Sequence, residues 1–117
     1  MDLNWRRFVL AVDASDRMLG CGQLKPHGPN ILELASIAVE PSARGQGIAR
    51  AVIEHLIAAA PRPLYLTCRA KLESFYSQWG FRSLEFAEMP PYFRRLARLA
   101  RLIGAAFKEK MLVMKLM

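Results

Sequence analysis

The sequence is poor in the residues that would make it a disulfide scaffold or a metal domain. It has two cysteines, Cys21 and Cys68, far apart, and two histidines, His27 and His55, equally separated. No pair has metal-ligand spacing, so no metal site is expected. Long apolar runs are also missing, and none of those present is long enough to span a bilayer. The opening "MDLNWRRFVLAV" has the wrong order of charge and apolar residues for a secretion signal. A cytoplasmic protein with reduced thiols is the expectation. Acidic residues are scarce as well: 10 against 17 lysines and arginines, a net charge of +7. That excess favours anionic partners such as nucleotides, nucleic acid or acidic membranes. No aromatic-interleaved basic motif accompanies it, so nucleic acid is not the expected partner.

What is present suits one globular domain: 117 residues, 53% hydrophobic. Residues 6–12, "RRFVLAV", and Met18–Leu24, "MLGCGQL", read as a hairpin around the polar "DASDR". Gly20 and Gly22 share a face of the second strand, where they admit a close backbone or mark a bulge. Lys25 to Asn30 reads as a loop. Ile31–Val39, "ILELASIAV", is the most strand-like segment, but its alternation breaks. Leu32 and Leu34 have one parity, Ile37 and Val39 the other. Burial on both faces gives this pattern, and so does a β-bulge.

Ile48–Ala59 repeats apolar residues at helical spacing and is stopped by "APRP". Leu64–Cys68 is a further buried strand, which completes a βαβ unit and implies a parallel strand pair. A helix over Lys71–Trp79 capped by Gly80, a strand over Phe81–Phe86, a basic amphipathic helix over Tyr92–Phe107 and a closing strand over Met111–Met117 follow. The sum is an α/β chain with one mixed sheet and helices against it.

The turn "VEPSARGQGIA" between strand and helix holds two glycines one residue apart. A P-loop is excluded because Ile48 and Ala49 follow Gly47 where Lys and Ser or Thr are needed. A dinucleotide fingerprint is excluded by Arg50, which stands where the third glycine belongs. The physics still suits an anion. First-turn amides of a helix are unpaired, the helix dipole adds partial positive charge, and glycine keeps side chains out of the way. An ordinary tight turn would use glycine too.

Context adds to this. "ELASIAVEPSARGQGIA" resembles the GNAT superfamily of acetyl-CoA-dependent acyltransferases: Arg44, Gly47 and Ala49 fit the signature Arg or Gln, two residues, Gly, one residue, Gly or Ala. The strand ending in Val39 with Pro41 beyond it fits too. Downstream, "FYSQWGF" from Phe75 to Phe81 looks like the family's aromatic-Tyr, three residues, Gly-Phe signature. The resemblance spans roughly residues 6–117, strongest from Glu33 to Phe81. It implies a GNAT-like fold over residues 1–117: a mixed, mostly antiparallel sheet with one parallel splay.

The resemblance also implies roles. Backbone amides of Arg44, Gly45, Gln46, Gly47, Ile48 and Ala49 would hold the cofactor pyrophosphate. Arg44 would add charge there or stay solvated. Backbone groups of Ile37 and Val39 on a bulged strand would bind the pantetheine arm and thioester. Tyr76 takes the place of the general acid that protonates the departing thiolate, or at least hydrogen-bonds the sulfur. Glu33, four residues before Ile37, stands where some members place a glutamate base, working directly or through water, though a strand glutamate or structural ion pair is the alternative. Phe75, Phe81 and Trp79 read as packing, Cys68 as a small apolar residue rather than an acyl carrier. His27 and His55 read as solvated or locally bonded.

Acetyl-CoA is thus the expected co-substrate and a primary amine, small molecule or peptide, the expected acceptor. The alternative is a non-catalytic acyl-CoA-binding or regulatory module. In two places the sequence departs from the family. The usual opening strand and two helices, one wall of the acceptor site, have no counterpart before the hairpin. The site is then open, or covered by another segment or a partner, and a homodimer is possible. The basic helix, about 91–107, is an insertion with Arg94, Arg95, Arg98 and Arg101 on its polar side. It either packs with a solvated basic face, lines the acceptor side to attract an acidic substrate, or docks on a membrane surface.

Overall fold

A computed structural model describes residues 7–103 and 110–117. The proposed strand start at Arg6 and the last turn of the proposed basic helix, 104–107, lie outside the described residues. Six strands form one sheet in the order β1-β2-β3-β4-β6-β5. They are β1 (Phe8–Val12), β2 (Met18–Pro26), β3 (Leu32–Val39), β4 (Leu64–Arg69), β5 (Arg82–Ser83) and β6 (Met111–Leu116). Three α-helices accompany them: α1 (Ile48–Ala59), α2 (Glu73–Ser77) and α3 (Pro91–Ile103). Every neighbouring pair is antiparallel except β3 with β4. That one parallel pair is the βαβ crossover through α1, as the strand–helix–strand pattern requires.

The parity break in β3 is a bulge. Cys21 pairs with Ala38 and Gln23 with Ala35, so Ser36 and Ile37 together oppose Gly22. Ser36 takes φ 58°, left-handed backbone rare for a residue with a side chain. Buried Gln23 holds it there, its Nε2 donating to Ser36 Oγ at 2.7 Å. Through the bulge Leu34 and Ile37, of opposite parity, both pack on the α1 side.

Gly22 also admits α1. A Cβ on it would come within 2.6 Å of Ile37, 2.8 Å of Val52 and 2.9 Å of Leu56. Bareness at this position lets the helix settle on the sheet. The core there is formed by Leu34, Val52, Ile53, Leu56, Leu64, Leu66, Phe81, Met114 and Leu116. Arg62 Nη1 closes the helix by donating to the carbonyls of Ile57 and Ala60. On the opposite face a smaller cluster of Tyr65, Leu84, Phe93 and Val113 lies beneath α3.

Three elements differ from the sequence reading. β2 runs on to Pro26, two residues into the expected loop, because Lys25 and Pro26 pair with Glu33 and Leu32. The second helix is shorter: a 3-10 turn (Ala70–Leu72) leads into α2, and Gly80, at φ 99°, follows a closing turn. The strand expected over Phe81–Phe86 keeps only Arg82 and Ser83. A capping box between Glu85 and Glu88 turns the chain into a 3-10 turn at Phe86 instead.

Candidate active site

The site begins where the parallel seam ends. β3 and β4 share only two rungs, Leu32–Leu64 and Glu33–Tyr65. Beyond them β3 stays with β2 and β4 with β6, so the strands diverge. The edge of β3 that faces this gap can be assigned from its ladder. Glu40 N donates to Leu19 O at 2.8 Å, so Glu40 faces β2. Backbone direction alternates, so the N–H and C=O groups of Val39 and Ile37 point the other way, across the gap.

The strand then enters the glycine turn. Glu40 caps a 3-10 turn (Pro41–Ala43), its carboxylate accepting from Ser42 N and Ser42 Oγ. Arg17 reaches across from the β1–β2 turn, donating to Ser42 Oγ at 3.1 Å and lying 3.7 Å from Glu40. Asp13 shapes that β1–β2 turn by accepting from the amides of Ser15 and Arg17, bonds that hold its carboxyl below the usual range. Gly45 and Gly47 both have positive φ, 83° and 78°. A Cβ on either would meet nothing within 4 Å. Glycine is needed there for backbone conformation, and the space outside it is open.

Gly47 is the N-cap of α1 and supplies no side-chain cap. Ala51 N is the first amide of the helix to find an internal acceptor, the carbonyl of Gly47. Among the described residues, no acceptor is bonded to the amides of Gly45, Gln46, Gly47, Ile48, Ala49 or Arg50. Unpaired amides at the positive end of a helix, beside glycines, suit a phosphate oxygen. The residues therefore fit a coenzyme A pyrophosphate. Arg44 is exposed and makes no ion pair with a described residue, so its charge is available beside the turn. Arg50 is engaged elsewhere, 3.7 Å from Glu54 and 5.5 Å from the centroid of the Trp79 ring.

Tyr76, on α2, packs against Phe75, Trp79 and Phe81. Its hydroxyl makes no hydrogen bond to a described residue. Burial raises its pKa, and the thiol of Cys68 on β4 adds to the rise. The phenol therefore keeps its proton at neutral pH, the state a proton donor needs. Cys68 itself is pushed up, by burial first and Glu73 second. A thiol held protonated is a poor nucleophile, which agrees with its reading as an apolar residue. Trp79 links the two helices of this face through its Nε1, which donates to Glu54 at 3.0 Å.

Glu33 lies on the last rung of the seam, on the face away from α1. It is not beside Tyr76 but within a cluster that sequence reasoning missed. His27 Nε2 is 2.6 Å from Glu33 Oε1, and the two side chains are only 7% and 11% exposed. The His27 ring stacks on Tyr92 at 3.6 Å between centroids and 12° between planes, with Phe93 edge-on at 5.8 Å. The Tyr92 hydroxyl is raised by burial first and by the Glu33 charge second. His27 is therefore locally bonded, not solvated. The available signal was the apolar-aromatic "YF" opening α3. Nothing local in "KPHGPN" told that the β2–β3 connection would fold its histidine under that helix.

A cleft of about 1430 Å³ opens between α3 and the far ends of β4 and β6. Thr67, Cys68 and Arg69 form its β4 wall, and Leu96, Leu99, Ala100, Arg101 and Ile103 its α3 wall. The first half of α3 is docked through Phe93, which is fully buried, while Leu99, Leu102 and Ile103 are exposed. Of the four arginines on the helix only Arg101 lines the cleft. Arg94 Nη2 instead donates to Ala87 O, and Arg98 lies over the Phe86 ring.

A mixed sheet whose parallel seam opens beside a turn of free amides defines the acyl-CoA N-acyltransferase class of fold. The chain belongs to the GNAT acetyltransferase family, whose Acetyltransferase (GNAT) domain matches residues 4–83. No curated protein sequence matches it. Among solved structures, N-acetylglutamate synthase from Neisseria gonorrhoeae, complexed with coenzyme A and N-acetyl-glutamate, is similar over 95% of this chain, with a TM-score of 0.70 and 21% identity. This chain spans only 26% of that one, about a quarter of its length. Rv2747 from Mycobacterium tuberculosis, in complex with CoA and NLQ, matches 94% of this chain and 75% of its own, with TM-score 0.70 and 20% identity. The ribosomal-protein-S18-alanine N-acetyltransferase from Escherichia coli matches 94% and 68%, with TM-score 0.64 and 21% identity. These likenesses extend the shared fold through α3 and β6, beyond the residues of the family match. Among the described residues, no helix is long and apolar enough to cross a membrane.

Proposed function

We propose that the whole chain acts as one N-acetyltransferase domain, working in the cytoplasm, that moves acetyl from acetyl-CoA to a primary amine by direct attack. The observation that carries this is the divergence of β3 from β4 after two rungs, with the unpaired amides of Gly45 to Arg50 in the turn that follows β3. A pyrophosphate on those amides would direct the pantetheine arm along the gap. The amine approaches from the α3 side. It loses a proton to Glu33, directly or through water, and its nitrogen bonds to the thioester carbon. The carbon–sulfur bond breaks, and Tyr76 protonates the leaving thiolate. Two solved structures of one relative, N-acetylglutamate synthase, hold coenzyme A, one with N-acetyl-glutamate and one with L-arginine, and support a coenzyme A site.

One observation favours a second reading, a non-catalytic acyl-CoA-binding module. Glu33 is tied to His27 and does not line the cleft. Coenzyme A release from acetyl-CoA over a panel of amines, peptides and polyamines separates the two. The enzyme reading expects turnover on at least one amine, thermal stabilisation by acetyl-CoA, and a fall in kcat of about 100-fold in Tyr76→Phe. Stabilisation without turnover on any acceptor selects the binding module.

A further inference from the structure

Nothing in the β2–β3 connection marks His27 as part of the chemistry, yet the fold buries it and gives it one polar partner, Glu33. A carboxylate only accepts hydrogen bonds, so the 2.6 Å contact is donated by His27 Nε2–H. The imidazole is fixed from three directions. Its ring lies flat on Tyr92, Phe93 stands edge-on to it, and its backbone amide donates to Ile31 O at 2.8 Å. A donor held this firmly dictates where Glu33 points.

The two carboxylate oxygens are not equivalent. Oε1 takes the histidine bond. Oε2 has no hydrogen bond to a described residue, and the Glu33 side chain keeps 11% of its surface exposed. It lies at the rung where the seam opens, so this second oxygen is the one left for another partner.

We propose that His27 is a positioning residue for acyl transfer. It holds the Glu33 carboxylate in one orientation, with Oε2 left to take the proton of the incoming amine. This rests on the reading of Glu33 as the base. The proton passes from the ammonium nitrogen to Oε2, directly or by one water, while the His27 proton stays on Nε2. Other groups face this carboxylate. Lys25 is its register partner on β2, Tyr65 its partner on β4 with Lys115 Nζ 5.7 Å from the Tyr65 ring centroid, and Tyr92 approaches from α3. With these groups near, the histidine contribution is read by difference between variants.

The test is the pH dependence of kcat/KM, by coenzyme A release with an amine turned over in the panel above, for three variants. His27→Phe keeps an aromatic ring against Tyr92 and removes the donor. A nearly enclosed carboxylate without its donor ionises less readily, so the acid limb moves to higher pH by about one unit or more, with KM for acetyl-CoA unchanged. His27→Gln restores an N–H of similar reach and brings the limb back towards wild type. Glu33→Gln loses turnover by about 100-fold or more at every pH. Should His27→Phe destabilise the fold, His27→Leu, also without a donor, is read in its place: a raised acid limb that His27→Gln brings back supports the proposal, and a wild-type profile in the folded donor-less variant overturns it. A silent His27→Phe beside an inactive Glu33→Gln overturns the positioning role alone. A fully active Glu33→Gln, or no turnover on any acceptor, overturns the role and the base assignment together.

Discussion

The α1 face and the α3 face of the sheet are built from different materials. Beneath α1 the core is aliphatic and continuous, with Ile53, Leu64, Leu66 and Met114 at 1% exposure or less. Beneath α3 it is aromatic and partly polar: Phe93 and Tyr65 surround a buried histidine and glutamate, and a cleft opens beyond them. A dry, close-packed face fixes the backbone that carries the glycine turn. The other face tolerates polar groups because His27 and Glu33 satisfy each other at 2.6 Å.

That contrast can be broken from either side. Phe93→Ala has the largest expected effect on stability, about 3–5 kcal/mol in chemical denaturation, because a fully buried ring leaves a cavity. Acetyl-CoA affinity should change far less, since Phe93 lies on the face away from the glycine turn. The reverse pattern is expected for Gly22→Val. Its methyl groups collide with Ile37, Val52 and Leu56, so stability falls by about 1–3 kcal/mol and acetyl-CoA binding weakens as α1 shifts. Isothermal titration of both variants sharpens the division of labour, and equal losses of affinity would erase it.

The smallest expected effect is in alkali. Tyr76 and Tyr92, one on each face, both have raised pKa values, so the folded state holds their protons longer than the unfolded chain does. Their contribution to stability is complete below about pH 10, where unfolded tyrosine titrates, and is lost as pH rises through the higher folded values. Melting temperature should therefore fall more steeply above pH 10 in wild type than in Tyr92→Phe. Identical slopes would show that Tyr92 does not take part.

The α1 face was legible because its signals are periodic and local. Helical spacing from Ile48 to Leu56, the glycines of the turn and the parity break between Leu34 and Ile37 each lie within a few consecutive residues. The position of Tyr76 was legible from "FYSQWGF", whereas its neighbour Cys68 comes from a strand brought in by the crossover. The α3 face was not legible, because its contacts join residues distant in sequence. His27 meets Tyr92 only after the whole sheet has formed between them. The expected strand to Phe86 failed for a local reason instead: Glu85 and Glu88 cap a turn more effectively than Leu84 and Phe86 extend a ladder.

The seam between β3 and β4 also has a mechanical meaning. With two rungs joining β1–β2–β3 to β4–β5–β6, the sheet is two stiff leaves on a short spine, and α1 is the strut between them. A molecule lying along the gap would bond to both leaves and so act as a third fastening. Its arrival would stiffen the whole sheet, and its departure would let the leaves loosen.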